Sequence, residues 1–147
     1  MLFQVNWENE IIVYVYGVWD MFHVGHLKLL ERAKSLGSYL VVGVVSDEAV
    51  RKRKGKNRPI ISQDQRYDVI NGLKIVNDVV RQNDFDPTPY IKKYPHKIKI
   101  LVLGEDQKHI KDFSWYMKSK NVLIVRLERT KDISTSDIIE RIKKECS

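Results

Sequence analysis

The sequence predicts an α/β domain around a five-stranded, mostly parallel sheet, and three observations carry that expectation. Five short apolar or β-branched runs recur along the chain, stretches of helical spacing separate them, and most of the runs stay apolar throughout instead of alternating with polar residues. Strands of that kind are buried on both faces. Parallel neighbours also need crossover connections, so helices are expected on both sides of the sheet.

The run IIVYVYG (residues 11–17) is the first strand. In the following stretch, residues 23–37, Leu29, Leu30, Ala33 and Leu36 recur at helical spacing and Gly37 supplies a stop. YLVVGVVS (39–46) is the second strand, and the basic residues after it are expected in an irregular stretch over 51–61. Ser62 and Gln65 have the spacing of a capping box, which starts a helix at about Gln63 with Val69, Ile70 and Leu73 as its apolar stripe. NDVVRQ (77–82) is the third strand, Thr88 and Pro89 open a short helix, and KIKILVLG (97–104) is the fourth strand. DFSWYMKSK (112–120) reads as a helix, NVLIVRL (121–127) as the fifth strand and TSDIIERIKKE (135–145) as the last helix. No repeat or long linker interrupts this order. The expectation is a single Rossmann-like doubly wound domain over residues 11–147, preceded by an N-terminal extension, residues 1–10. In such sheets ligands collect beyond the carboxyl ends of the strands.

The 147 residues carry 26 Lys and Arg against 19 Asp and Glu, a formal charge of +7, which favours anionic partners without choosing among them. Cys146 is the lone cysteine, so no intrachain disulfide can form and a reducing compartment fits. No apolar run approaches the ~20 residues of a membrane span, and residues 1–10 lack a signal-peptide pattern. A cytoplasmic protein without a membrane span is expected.

GVWDMFHVGH (residues 17–26) lies where the first strand gives way to the first helix. A helix start offers unpaired backbone N–H groups and partial positive charge, a site for phosphate. His23 and His26 could add hydrogen bonds to phosphate oxygens there, and Gly25 removes a side chain where a nucleotide would come close. For His26, which shares a face with Leu29 and Leu30, a packed core histidine is the competing reading. A zinc site is not expected, since no cysteine or carboxylate set completes the ligands.

Residues 17–48, GVWDMFHVGHLKLLERAKSLGSYLVVGVVSDE, resemble the H-x-G-H nucleotidyltransferase superfamily, whose first strand ends in G-x-F-D-x-x-H-x-G-H. KGKNRPIISQDQRYDVINGLKIVNDVV (54–80) is similar to the basic loop and E-R-Y-type helix of cytidylyltransferases, and RTKDISTSDIIERI (129–142) to their R-T-x-x-I-S-T-S segment. The resemblance covers roughly residues 11–142. This chain departs from the pattern at Trp19, where phenylalanine is usual, at Val24, where the glycerol-phosphate type has tryptophan, and at Gly104-Glu105-Asp106-Gln107 in place of G-D-D-W.

The resemblance implies an enzyme that transfers CMP from CTP to a phosphorylated alcohol, of the glycerol-3-phosphate, phosphocholine or phosphoethanolamine kind, releasing pyrophosphate. It assigns His23, His26, Lys54 and Arg129 to catalysis and Lys52 with Lys54 to the acceptor phosphate. Nucleotide binding would fall to Gly17, Val18, Trp19, Asp20, Gly25, Arg66, Gly104, Asp106, Thr130, Ile133, Ser134 and Thr135. Asp20 would also stand near a Mg²⁺ ion, and a homodimer is implied. From the residues alone, Asp20 could equally be a turn residue, Arg66 could pair with a neighbouring acid, and Ser134 or Thr135 could cap the last helix. Two other functions stay open: an ATP-using adenylyltransferase of the same fold, acting on a flavin or sugar phosphate, and a non-catalytic nucleotide- or RNA-binding module. RKRKGKNR (51–58), six basic residues in eight, would serve the latter, but it lacks interleaved aromatics for stacking bases, so nucleic acid is not the expected partner.

Overall fold

In the computed structural model, which describes residues 4–105 and 113–146, the expected alternation holds. The order is β1 (Ile12–Gly17), α1 (Val24–Ser35), β2 (Tyr39–Val45), α2 (Asp47–Lys54), α3 (Gln63–Asn71), β3 (Asp78–Gln82), α4 (Thr88–Lys93), β4 (Ile98–Gly104), α5 (Ser114–Ser119), β5 (Leu123–Leu127) and α6 (Thr135–Cys146). All four strand pairings are parallel, in the order β3-β2-β1-β4-β5. The central strand β1 aligns Val15 with Val42 of β2 on one side and with Val102 of β4 on the other. From β1 the chain first builds outward through β2 and β3, then crosses back to lay down β4 and β5. Strand order therefore reverses between β1 and β4, and a crevice opens beyond their carboxyl ends.

Alternate residues of β1 feed two cores, as the two-residue period of a strand requires. Ile12, Tyr14 and Tyr16 pack with Val50 of α2, Ile91 of α4 and Met117 of α5. Val13 and Val15 pack on the opposite face with Leu30 and Ala33 of α1 and Ile70 of α3. Ser62 caps α3 as the sequence predicts, its hydroxyl accepting from Gln65 N, and Ile70 is buried. Val69 departs from the expected stripe: it is exposed, because only one flank of this nine-residue helix meets the sheet. The stretch expected to be irregular over 51–61 is also corrected, since residues 51–54 complete α2 and Gly55 ends it at a φ of 98°. Asp47 and Glu48 in the first turn and four basic residues in the last complement the helix dipole, which outweighs the repulsion within the basic run.

One polar network runs through the sheet itself. Burial raises the Tyr14 hydroxyl pKa far above its ordinary range, with Tyr90 and Tyr16 adding to the effect, so the group stays protonated and donates to Gln82 Oε1 at 2.6 Å. Both side chains are fully buried. Gly43 of β2 makes room for them: a Cβ there would lie 2.5 Å from Tyr14 Oη and 2.7 Å from Gln82 Oε1. Gly43→Ala is expected to lower the unfolding free energy by about 1–3 kcal/mol through overpacking of this hydrogen-bonded pair. Urea denaturation measures it, and an unchanged midpoint would show that the network moves aside at no cost.

Candidate active site

A cavity of about 470 Å³ opens at the β1/β4 crevice, a size suited to a nucleotide. Of the residues expected to form a site, it is lined by Gly17, Val18, Trp19, Asp20, His23, Gly25, His26, Lys54, Gly104, Arg129, Thr130, Ile133, Ser134 and Thr135. These come from four separate stretches of the chain, brought together by strand order.

His23 is the N-cap of α1. Its Nδ1 accepts from Gly25 N at 3.1 Å, and its own backbone N–H donates to Nδ1 of His26 at 3.3 Å, a reciprocal cap made of two imidazoles. The rings stack with centroids 3.7 Å apart. Because each Nδ1 is an acceptor, each neutral ring must carry its proton on Nε2 and has that N–H left to offer a ligand. Both rings are held neutral. His26 has its pKa pushed down to about 3, by burial first and then by His23 and Lys54, while His23 is lowered by burial and by Arg129. Gly25 is required by the closeness of its neighbours: a Cβ would meet His23 Cε1 at 2.9 Å and Ile133 Cγ2 at 3.1 Å.

Two residues expected to touch the nucleotide serve to position the loops around it. Arg66 is 1% exposed and does not line the cavity. Its Nε donates to Ile61 O at 2.8 Å, one terminal nitrogen to Val18 O at 2.6 Å and the other to Asp47 Oδ1 at 2.6 Å. The nucleotide-facing role implied by the resemblance is therefore corrected to the pairing with a neighbouring acid. Three of the five N–H donors of this buried guanidinium are engaged within the protein, which commits it to the scaffold.

Asp20 lines the cavity, but its two carboxylate oxygens accept from Ile60 N at 2.7 Å and Ile61 N at 2.8 Å, so the group holds the loop before α3. Among the described residues no group of three His, Cys, Asp or Glu is placed to hold a metal. Trp19, at a φ of 59°, is likewise turned into the core, where its Nε1 donates to Gly43 O at 2.9 Å.

Lys52 is also corrected. It stands exposed on the outer side of α2, 3.3 Å from Glu48, and does not line the cavity, whereas Arg53, Lys54 and Arg58 do. A helix turns successive residues by ~100°, so only part of a basic run can face one side, and here Arg53 and Lys54 face the cavity while Lys52 points away. Ser134 caps α6 by accepting from Asp137 N at 3.0 Å, and Thr135 donates its hydroxyl to Asp20 O at 2.8 Å, joining α6 to the loop after β1. Arg129 lies 4.0 Å from Asp137, and its backbone N donates to Glu105 at 3.1 Å. Asp106 lies outside the described residues. The sequence reading missed Arg53, Arg58 and Phe85. Arg53 and Arg58 stood in the flagged basic run, but nothing in the sequence signalled Phe85, which the loop after β3 carries to the cavity.

The fold and the cavity define a parallel α/β protein with a cleft at its topological switch point into which Arg53, Lys54, Arg58 and Arg129 converge. Comparison with known sequences agrees: the profile of the cytidylyltransferase-like family matches residues 14–141. The chain belongs to the cytidylyltransferase-like family. It is 41% identical to the bifunctional protein HldE of Campylobacter concisus and 35% identical to choline-phosphate cytidylyltransferase A of Mus musculus, covering 90% and 94% of this chain. It spans only 27% and 38% of the length of those two relatives. By contrast, its 36% identity with the glycerol-3-phosphate cytidylyltransferase of Bacillus spizizenii covers 86% of this chain and 92% of that protein. Among solved structures, the lipopolysaccharide core biosynthesis protein of Thermoplasma volcanium superposes with a TM-score of 0.69 at 29% identity, over 84% of this chain and 99% of that one. Among the described residues no helix is long and apolar enough to cross a membrane.

Breaking the Arg66 clamp is expected to be costly. Arg66→Met should destabilise the fold by about 3–5 kcal/mol in urea unfolding, since Asp47 and two carbonyls lose their donor together; a loss under about 1 kcal/mol would refute the clamp. The histidines set a pH dependence. The unfolded His26 imidazole, with its ordinary pKa of 6.5, takes up a proton that the folded ring refuses until about pH 3. Its contribution is thus complete above pH 6.5 and is lost as pH falls toward 3. Between pH 7.5 and 5.5 it should fall by about 1 kcal/mol, with His23 acting in the same direction. His26→Gln, which keeps a capping acceptor, should show a shallower decline in urea midpoint; an identical decline would show that His26 does not carry the effect.

Proposed function

We propose that the chain transfers CMP from CTP, bound with Mg²⁺, to a phosphorylated alcohol. The observation that carries this reading is the convergence of two Nε2–H imidazoles, Lys54, Arg129 and the start of α6 on one cavity. An oxygen of the acceptor phosphate attacks the α-phosphorus. The new P–O bond forms as the bond to the α,β-bridging oxygen breaks, and pyrophosphate leaves with that electron pair.

No side chain has to take a proton, because a phosphomonoester is largely ionised at neutral pH. Two anions must instead be held together while charge moves onto the α-phosphate and the leaving group, which makes positioning and electrostatics the main contributions. His23 and His26 donate to the α-phosphate. Lys54 bridges the nucleotide and the acceptor phosphate, and Arg129 with the N–H groups at Ser134 and Thr135 and the Ser134 hydroxyl receives the pyrophosphate. With each Nδ1 accepting from backbone, the neutral rings keep their Nε2–H as the donor for this task. Mg²⁺ supplies neutralisation of the leaving phosphates and enters as part of the nucleotide substrate.

The test is a pyrophosphate-release assay crossing CTP and ATP with a panel of phosphorylated acceptors. Release with CTP and a phosphorylated alcohol is expected; turnover with ATP alone, or none with any pair, would overturn the reading. With the active pair, His26→Gln should lower kcat by about 10²–10³ while the Kd for CTP changes little. Lys54→Ala should raise KM for both substrates. Unchanged kcat in the first variant, or a change in stability alone in the second, would remove those assignments.

A further inference from the structure

Arg53 and Phe85 meet at the cavity wall, and neither has a part in the chemistry above. The Arg53 guanidinium carbon lies 3.7 Å from the centroid of the Phe85 ring. We propose that this pair selects the acceptor: the subsite takes a hydroxyl-bearing phosphomonoester of the polyol or sugar type and turns away ammonium-bearing ones. The inference rests on the transfer to a phosphorylated alcohol proposed above and names the class of that alcohol.

A quaternary or primary ammonium is recognised by an open aromatic face, helped by a carboxylate. Here the aromatic face is already covered by a cation. A second cation brought to the same ring would meet Arg53, with Lys54 next to it on α2. Hydroxyls and phosphate oxygens gain from the same arrangement, since a guanidinium stacked through its plane still has N–H groups pointing outward along its edge. Two of the cavity's carboxylates are engaged elsewhere: Asp20 holds Ile60 and Ile61, and Glu105 accepts from Arg129 N.

The ring is fixed in place as well. The buried Gln82 that accepts from Tyr14 donates onward to Asp84 O at 2.9 Å. Ser46 donates its hydroxyl to Asn83 O at 2.7 Å, and Asn83 N donates to Tyr90 Oη at 2.7 Å. Asp84 Oδ1 then accepts from Asp86 N at 2.9 Å. A loop tied at each of these points presents Phe85 as a preset platform, and the stacked arginine is part of the wall.

Calorimetric titration of the full chain with glycerol 3-phosphate and with phosphocholine, in the presence of Mg²⁺ and a non-hydrolysable CTP analogue, tests this. Both probes carry the same phosphate, so their difference reads the head group. Glycerol 3-phosphate is expected to bind at least ~10-fold tighter. Arg53→Ala, an exposed helix position where alanine is well tolerated, should weaken it and shrink the ratio to under ~3-fold, with Phe85→Ala moving the ratio in the same direction. Equal or tighter binding of phosphocholine, binding of neither probe, or an unchanged ratio in Arg53→Ala would overturn the proposal. The two readings fail separately. Selective binding with no pyrophosphate release would end the transfer reading and leave the acceptor class standing, while efficient release with phosphocholine would do the reverse.

Discussion

A single buried guanidinium holds the ligand side of this protein together. Arg66 donates to the loop after β1, to the loop before α3 and to the first residue of α2, which ties the β1–β2 crossover to two segments of the β2–β3 crossover. A charge removed from water at such a depth is tolerated only when it is paired and hydrogen-bonded. That condition is demanding, and it fixes the three segments against one another. The loop after β1 leads into the histidines, α2 carries Arg53 and Lys54, and the loop before α3 carries Arg58. Asp20 repeats the arrangement with opposite sign, one carboxylate gathering two backbone N–H groups, and Thr135 extends it to α6.

The histidine pair shows how one set of hydrogen bonds can serve structure and chemistry together. Each Nδ1 is committed to a backbone N–H at the start of α1, which settles the tautomer and leaves each Nε2–H for a ligand. Burial and neighbouring positive charge keep the rings neutral, so they are donors already set in place. A serine or aspartate cap would have started the helix equally well. Only an imidazole offers a second polar atom on the far side of the ring, which is why the two readings of His26, packed residue and ligand residue, are compatible.

The rest of the cleft gathers Arg53, Lys54, Arg58 and Arg129 within one cavity. Arg53 stacks on Phe85, while Arg58 and Arg129 meet Ser136 and Asp137. The last two are weak, exposed contacts, easily exchanged for phosphate oxygens. Firm contacts hold the loops and weak ones occupy the cations, so ligand binding need not disturb the scaffold.

What the sequence determined by itself was local and periodic. The five runs, the helices between them and the Ser62 cap follow from residue spacing, because backbone period and capping depend on near neighbours. Cavity-lining residues were legible where they sat in contiguous motifs, His23 to His26 and Arg129 to Thr135. Direction within the fold was decided elsewhere. Whether Arg66 faces a nucleotide or a carboxylate, whether Lys52 or Arg53 reaches the cavity, and whether Phe85 belongs to the site all depend on strand order and on the angle at which each helix crosses the sheet. Those are set by side chains dozens of residues away competing for the same buried acceptors, and only the tertiary structure decides that competition.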